Sequence, residues 1–284
     1  MRSKFLTLFL VASVLLSCKK EKGTTIPVTT PPIVAPPANP PAAPPVMLKE
    51  IVVPNLPSPY YHFEYDLSGT VKLASFASDF KRYDINYENG KIGSLVNNIA
   101  PGVQEVVKYA YDNLGRVKFV IYTDVTGVDN VQVTFTYDGN KLVGLERQRL
   151  SGQQFFVNKV MTFSYYDDGN LKELVDHRPA ITNIQTESTT SDRFEQYDNK
   201  INVDGFSLIH NDFFDQLVLL PGVQLQKNNP GKVTHTGDGD NFKFEYSYTY
   251  NDKNLPITRS DVITILNGAN AGQVFQSGAT YSYY

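Results

Sequence analysis

One phrase recurs along the chain and constrains its fold more than any other feature. It reads YAYDNLGRVKF at 109–119, FTYDGNKLVGL at 135–145, FSYYDDGNLKEL at 163–174 and YTYNDKNLP at 248–256. Each copy is an aromatic, one residue, a Tyr, then Asp, Asn or Gly, then an apolar residue. Alternation with period two places side chains on one face of a strand. Asp, Asn and Gly tolerate positive φ or cap a turn with their own side chains. Each phrase therefore reads as a β-hairpin with Tyr at the end of the outgoing strand. Asn89-Gly90 is the strongest two-residue hairpin signal. Gly115 suits a left-handed position beside a bulge.

Further copies run through Phe63-x-Tyr65, Ile85-x-Tyr87 and Phe244-x-Tyr246-x-Tyr248-x-Tyr250, and the chain closes on Tyr281-x-Tyr283. A worn copy lies at Phe194 and Tyr197-Asp198-Asn199-Lys200. Successive hairpins are expected to pair as an antiparallel meander, an all-β fold over residues 47–284. With 18 Tyr, 17 Phe and no Trp, the composition favours sheet. An inward aromatic ladder is the structural reading. A sugar-stacking platform is the alternative, and it lacks the preferred residue, Trp.

One segment breaks the rhythm. In GFSLIHNDFFDQLVLLPG, Phe206, Ile209, Phe213, Leu217 and Leu220 recur at helical spacing, and Pro221-Gly222 marks a stop. This predicts a short helix on the concave face of an open, curved, barrel-like sheet, covering its apolar side. A buried strand through Leu217–Leu220 is the alternative.

The N-terminus differs in kind. Arg2 and Lys4 precede an apolar run from Phe5 to Leu16, too short to span a bilayer. It ends in Leu15-Leu16-Ser17-Cys18, which resembles a bacterial lipobox. The resemblance implies a signal peptide over 1–17 and acylation at Cys18, with several acyl chains for stable anchoring. Residues 18–46 follow as a spacer with nine prolines between Pro27 and Pro45. Such a stretch favours extended polyproline-II geometry, at about 3.1 Å per residue.

The phrase is similar to the Tyr-Asp repeats of Rhs-type shell proteins. It looks still closer to a domain of unknown function in Bacteroidota lipoproteins, which joins a lipobox, a low-complexity tether and such hairpins. That domain also carries "YDNK" followed by "KNNP", here Tyr197–Lys200 and Lys227–Pro230. The resemblance implies a curved, porin-like sheet with no known activity.

No catalytic or metal constellation emerges. His62, His177, His210 and His235 lack metal-ligand spacing. Asp167–Asn170 and Asp238–Asn241 resemble calcium loops but lack the ligand series, and read as turns. Glu146, Glu173 and Glu195 read as solvated strand residues. No cofactor is expected. Residues 1–45 contribute +4 to a net charge of −3, which leaves −7 on the remainder and no electrostatic reason to bind nucleic acid. The sequence thus points to an outer-membrane lipoprotein on the periplasmic face or the cell surface. Its domain is expected to be a non-enzymatic binding or scaffolding module, with a polysaccharide or an envelope protein as possible partner. A surface glycan-binding protein and an envelope polymer hydrolase are the alternatives. Function is expected where the phrase is broken, around 198–241.

Overall fold

The computed structural model describes residues 46–209 and 217–284. The signal segment, Cys18 and most of the Pro-rich spacer lie outside the described residues. The described chain is part of a compact unit spanning 44–284.

Its strands are β1 (Leu48–Val52), β2 (Tyr61–Tyr65), β3 (Val71–Phe76), β4 (Lys81–Glu88), β5 (Lys91–Ala100), β6 (Val103–Tyr111), β7 (Val117–Thr123) and β8 (Asp129–Asp138). They continue as β9 (Lys141–Ser151), β10 (Gln154–Tyr165), β11 (Leu171–Arg178), β12 (Ser188–Glu195), β13 (Lys232–Gly237), β14 (Phe242–Tyr250), β15 (Pro256–Ile265) and β16 (Val274–Tyr283). Each pairs antiparallel with its sequence neighbours, so the expected meander is observed. The expected open sheet is not. β1 pairs with β16, Ile51 opposite Tyr281, and closes a sixteen-stranded barrel among the described residues. Closure removes both free edges.

The Tyr-Asp turns all lie at one end of the barrel, the phrase end, where the described chain also begins. There the physics of the phrase is explicit. Asp112 Oδ1 accepts the N–H groups of Leu114 and Arg116, both at 2.9 Å. Asp66 and Asn251 make the same cap, two and four residues on. Gly115 sits at φ 80°, the left-handed conformation that this turn requires. Tyr65, Tyr87, Tyr111, Tyr137, Tyr165 and Tyr250 each mark a register shift: Tyr111 pairs with Val117, and Tyr137 with Leu142.

The tyrosine hydroxyl then reaches across to the preceding hairpin. Tyr65 donates to the Leu48 carbonyl, Tyr87 to Val71, Tyr111 to Ile92, Tyr137 to Val117, Tyr165 to Leu142, Tyr197 to Leu171 and Tyr283 to Pro256, at 2.6–3.0 Å. At this end β2 joins β3 by a turn, but β1 and β2 are joined only through the far end. The tyrosine locks bridge those gaps, so covalent turns and hydroxyl locks alternate around the rim. Cations leaving the turns cover the rings: Lys91 Nζ lies 5.0 Å from the Tyr111 centroid, and Arg116 lies 4.8 Å from that of Tyr137.

Alternation sorts the two faces of the wall. Phe63, Tyr83, Leu95, Val107, Val133, Phe163, Leu174 and Tyr281 point inward into one core. The intervening positions carry charge: Lys72 pairs with Glu64 at 3.2 Å, Lys108 with Asp129 at 3.2 Å, Lys232 with Glu195 at 3.0 Å and Lys243 with Glu245 at 2.9 Å. The interior is mostly apolar with a few buried charges, among them Arg147, Lys159, Asp176 and Asp261, while the outer wall carries ion pairs, and apolar residues such as Phe155 and Phe275 are exposed.

Candidate functional site

The described parts of the long connection from β12 to β13, 196–209 and 217–231, pack into the barrel mouth at the phrase end. The expected helix over 206–220 is not observed among the described residues. Gly205–Leu208 form a single 3-10 turn, and 217–220 have no regular structure. Phe213 lies outside the described residues. The apolar residues nevertheless bury, because the surrounding wall supplies their partners. Leu217, Val218 and Leu225 join the core. Phe206 meets Tyr61 and Phe63 edge-on, with centroids 4.6 and 4.9 Å apart. The wall also satisfies the irregular backbone: Leu219 N–H donates to the Tyr109 hydroxyl at 3.0 Å, and Leu171 N–H to the Leu225 carbonyl at 3.1 Å.

The two tetrapeptides that carry the sequence resemblance close the base of this segment. Asp198 N–H donates to the Asn229 carbonyl at 3.0 Å, and Asn229 N–H returns to Asp198 Oδ1 at 3.1 Å. Asn228 Nδ2 donates to the Lys200 carbonyl at 2.9 Å. The Tyr250 hydroxyl bonds to the Asp198 carboxylate. The neighbouring turn adds a third arm, since Asn170 Oδ1 accepts the N–H groups of Lys227 and Asn228, both at 3.0 Å. Asn170 and Asn229 are buried, so each of these bonds replaces hydration that the amide has lost.

Beneath the clasp lies a charged cluster. Arg259 holds Asp261 through two bonds, at 2.8 and 3.0 Å, and reaches Asp204 at 3.3 Å. The Tyr281 hydroxyl contacts the same Asp204 oxygen at 3.4 Å. Burial raises the Asp204 pKa, and the Arg259 charge opposes that shift. A small polar cavity of about 50 Å³ adjoins this cluster and Ser207, Tyr246 and Tyr248.

A larger cleft, about 410 Å³, opens between the segment and the rim of β3, β4 and β5. Val71, Tyr87 and Ile92 form the rim side, and Val203, Phe206, Ile209, Leu219, Leu220, Val223 and Leu225 form most of the other. Its remaining polar residues are Asn202, Gln224 and Gln226, and no lining residue among those described is charged.

The residues singled out in the sequence fall elsewhere. Cys18 and His210 lie outside the described residues. His62 and His177 sit on the outer wall beside Glu50 and Glu187. His235 points inward, with Nδ1 at 2.7 Å from Asp192. Asp167–Asn170 form a turn in which Asp168 Oδ1 accepts Asn170 N–H at 2.9 Å. In the turn after β13, Asp238 Oδ2 accepts Thr189 N–H at 2.7 Å. Glu173 and Glu195 stand on the outer wall, bonded to Ser191 and Lys232, and Glu146 bonds to Gln148. Stacked aromatic pairs, Tyr109–Tyr111, Phe244–Tyr246 and Tyr248–Tyr250, line the inner wall. The region 198–241, singled out because the phrase breaks there, holds one wall of the cleft, while the rim wall at Val71, Tyr87 and Ile92 and the role of Asn170 carried no signal in the sequence.

No family model matches the chain, and no curated protein matches it in sequence. Solved structures do match in fold. A porin-like protein from Bacteroides uniformis ATCC 8492 superposes with a TM-score of 0.53 at 13% identity, covering 79% of this chain and 89% of that one. A porin-like protein from Bacteroides vulgatus ATCC 8482 gives 0.54 at 13% identity, covering 84% and 99%.

Proposed function

We propose that this chain is a cell-envelope lipoprotein, anchored through Cys18, whose barrel stands in water as a non-enzymatic binding or scaffolding module. One observation carries the reading: the outer wall of the barrel bears paired charges around a mostly apolar core. A spanning barrel turns apolar residues to lipid, and a Lys or Arg on that face costs about 2–4 kcal/mol at the midplane. Lys72, Arg82, Lys108, Arg193, Lys232 and Lys243 all lie on the outer wall in ion pairs. Placed in lipid they would cost on the order of 10 kcal/mol together.

The lipobox-like Leu15-Leu16-Ser17-Cys18 supports the anchor. The spacer over 18–46 separates anchor from barrel, and outer-membrane attachment fits the Bacteroides origin of the fold relatives. A scaffolding or binding role fits the uncharged cleft, which offers no carboxylate pair for hydrolysis among its described residues. Metabolic labelling with palmitate tests the anchor. The wild-type chain takes up label and Cys18→Ala does not; retained label in Cys18→Ala contradicts it. Trypsin on intact cells then assigns the face, with cleavage marking surface display and protection marking the periplasm.

A further inference from the structure

We propose that Asp204 is a proton-operated fastener inside the barrel: protonated, it seats the chain at 202–208 against β15 and β16, and ionised, it loosens that seat. It does so whatever the barrel binds.

The first support is a charge imbalance. Two carboxylates, Asp204 and Asp261, share one guanidinium, that of Arg259. Asp261 takes it in two bonds, at 2.8 and 3.0 Å, while Asp204 keeps one contact at 3.3 Å. The Tyr281 hydroxyl adds a contact at 3.4 Å to the same Asp204 oxygen, Oδ2. Fully ionised, the cluster carries one unbalanced negative charge, largely away from water, which is costly. A proton on one carboxylate removes it. Burial accordingly raises the Asp204 pKa, against the pull of Arg259.

The second support is an oxygen left without a donor. Asp204 Oδ1 is buried and has no hydrogen-bond partner in the structure. As a hydroxyl it can instead donate, and Asp204 lines the polar cavity of about 50 Å³, which has room for water to accept. Among the described residues no group of three His, Cys, Asp or Glu side chains could hold a metal ion, which leaves the proton as the compensating charge.

The third support is position. Asp204 N–H donates to Asn202 Oδ1 at 3.0 Å, and the Asp204 carbonyl accepts the Ser207 hydroxyl at 2.9 Å. Asn202 in turn bonds to Gln226 and to Asn229 of the clasp. Strain at Asp204 therefore reaches the 3-10 turn and the clasp together. Tyr246 and Tyr248 face the carboxylate from β14, Tyr281 and Tyr283 from β16, and Tyr61 from β2. Burial pushes all five hydroxyls up, so they stay neutral below about pH 10. Phe194, Val233 and Pro256 complete the cavity wall without a titratable group.

The unfolded chain releases this proton at about pH 3.9, and the folded chain releases it later. Stability from Asp204 is therefore complete below the unfolded value and is lost as pH rises through the folded one.

The test uses residues 18–284 with Cys18→Ser. The carboxyl carbon of Asp204, assigned through its own backbone N–H, is titrated by NMR, and amide exchange is read as protection factors at each pH. Asp204 is expected to titrate above about 3.9. Across that titration the Ser207 and Ile209 amides are expected to lose protection at least about fivefold, the effect of one unsatisfied buried group. In Asp204→Asn, which mimics the protonated form, their protection is expected to stay constant. Asp261→Asn rebalances the cluster and is expected to lower the Asp204 titration. Titration at or below about 3.9, constant wild-type protection, equal loss in Asp204→Asn, or an unmoved titration in Asp261→Asn overturns the proposal. Should either variant fail to fold, the wild-type titration and protection decide alone. Curves in sodium, potassium and tetramethylammonium chloride are expected to coincide; a curve moved by sodium or potassium makes the compensating charge a metal ion and overturns the proton.

Discussion

At the scale of the residue, the phrase tyrosine has two jobs that the sequence does not separate. Its ring packs inward and its hydroxyl ties one hairpin to the one before. Tyr111→Phe keeps the ring and removes the bond to the Ile92 carbonyl. It is expected to cost about 1 kcal/mol in urea unfolding, the net worth of one such bond. The locks also set a pH limit. Burial pushes the Tyr65, Tyr137 and Tyr165 hydroxyls up to about 12. In the unfolded chain a tyrosine ionises at about 10. The unfolded state therefore releases its protons first, so this stability is complete below pH 10 and falls as pH rises toward 12. Urea titrations between pH 9 and pH 11.5, with tyrosinate absorbance read alongside, are expected to show the fall beginning near pH 10. Stability constant across that range contradicts the burial of these hydroxyls. The alternation and the capping Asp were legible because they are local. The partner of each hydroxyl was not, since it lies 16–27 residues away in the chain.

At the scale of the element, hairpins were legible and the inserted segment was not. Asn89-Gly90 forms the two-residue turn expected of it, with φ of 51° and 75°. The stripe from Phe206 to Leu220 suggested a helix because helical spacing and burial by an enclosing wall leave the same apolar trace. The wall decides the outcome: it supplies the Tyr109 hydroxyl to Leu219 N–H, so no helical ladder is needed there. What holds the segment is the clasp. Asn229→Ala removes the two Nδ2 bonds to the Asp198 carboxylate, at 3.3 and 3.4 Å, and keeps the backbone one. A loss of about 1.5–3 kcal/mol is expected, the range for bonds to a charged group. Hydrogen exchange is expected to show the loosening in 198–229 before the strands; uniform exchange across the barrel contradicts a local clasp.

At the scale of the whole molecule, two properties decide what the barrel does. Closure joins Leu48 in the first strand to Tyr283 in the last, and no local pattern announces a pairing between chain ends. An open, curved sheet was therefore the natural expectation from the repeats. Polarity of the wall was legible in principle, because Phe242-Lys243-Phe244-Glu245 already alternates aromatic with charged residues. Which side faces inward needed the closed barrel, where Phe244 packs against the core and Lys243 pairs with Glu245 on the outside. Fold likeness to porin-like proteins and a charged outer wall are compatible, because the barrel encloses a packed side-chain core. The most direct test replaces residues 1–18 with a conventional cleavable secretion signal and asks where the mature chain partitions. The account predicts a folded chain in the soluble fraction without detergent. A chain that stays with membranes after an alkaline carbonate wash, and leaves them only in detergent, would contradict it.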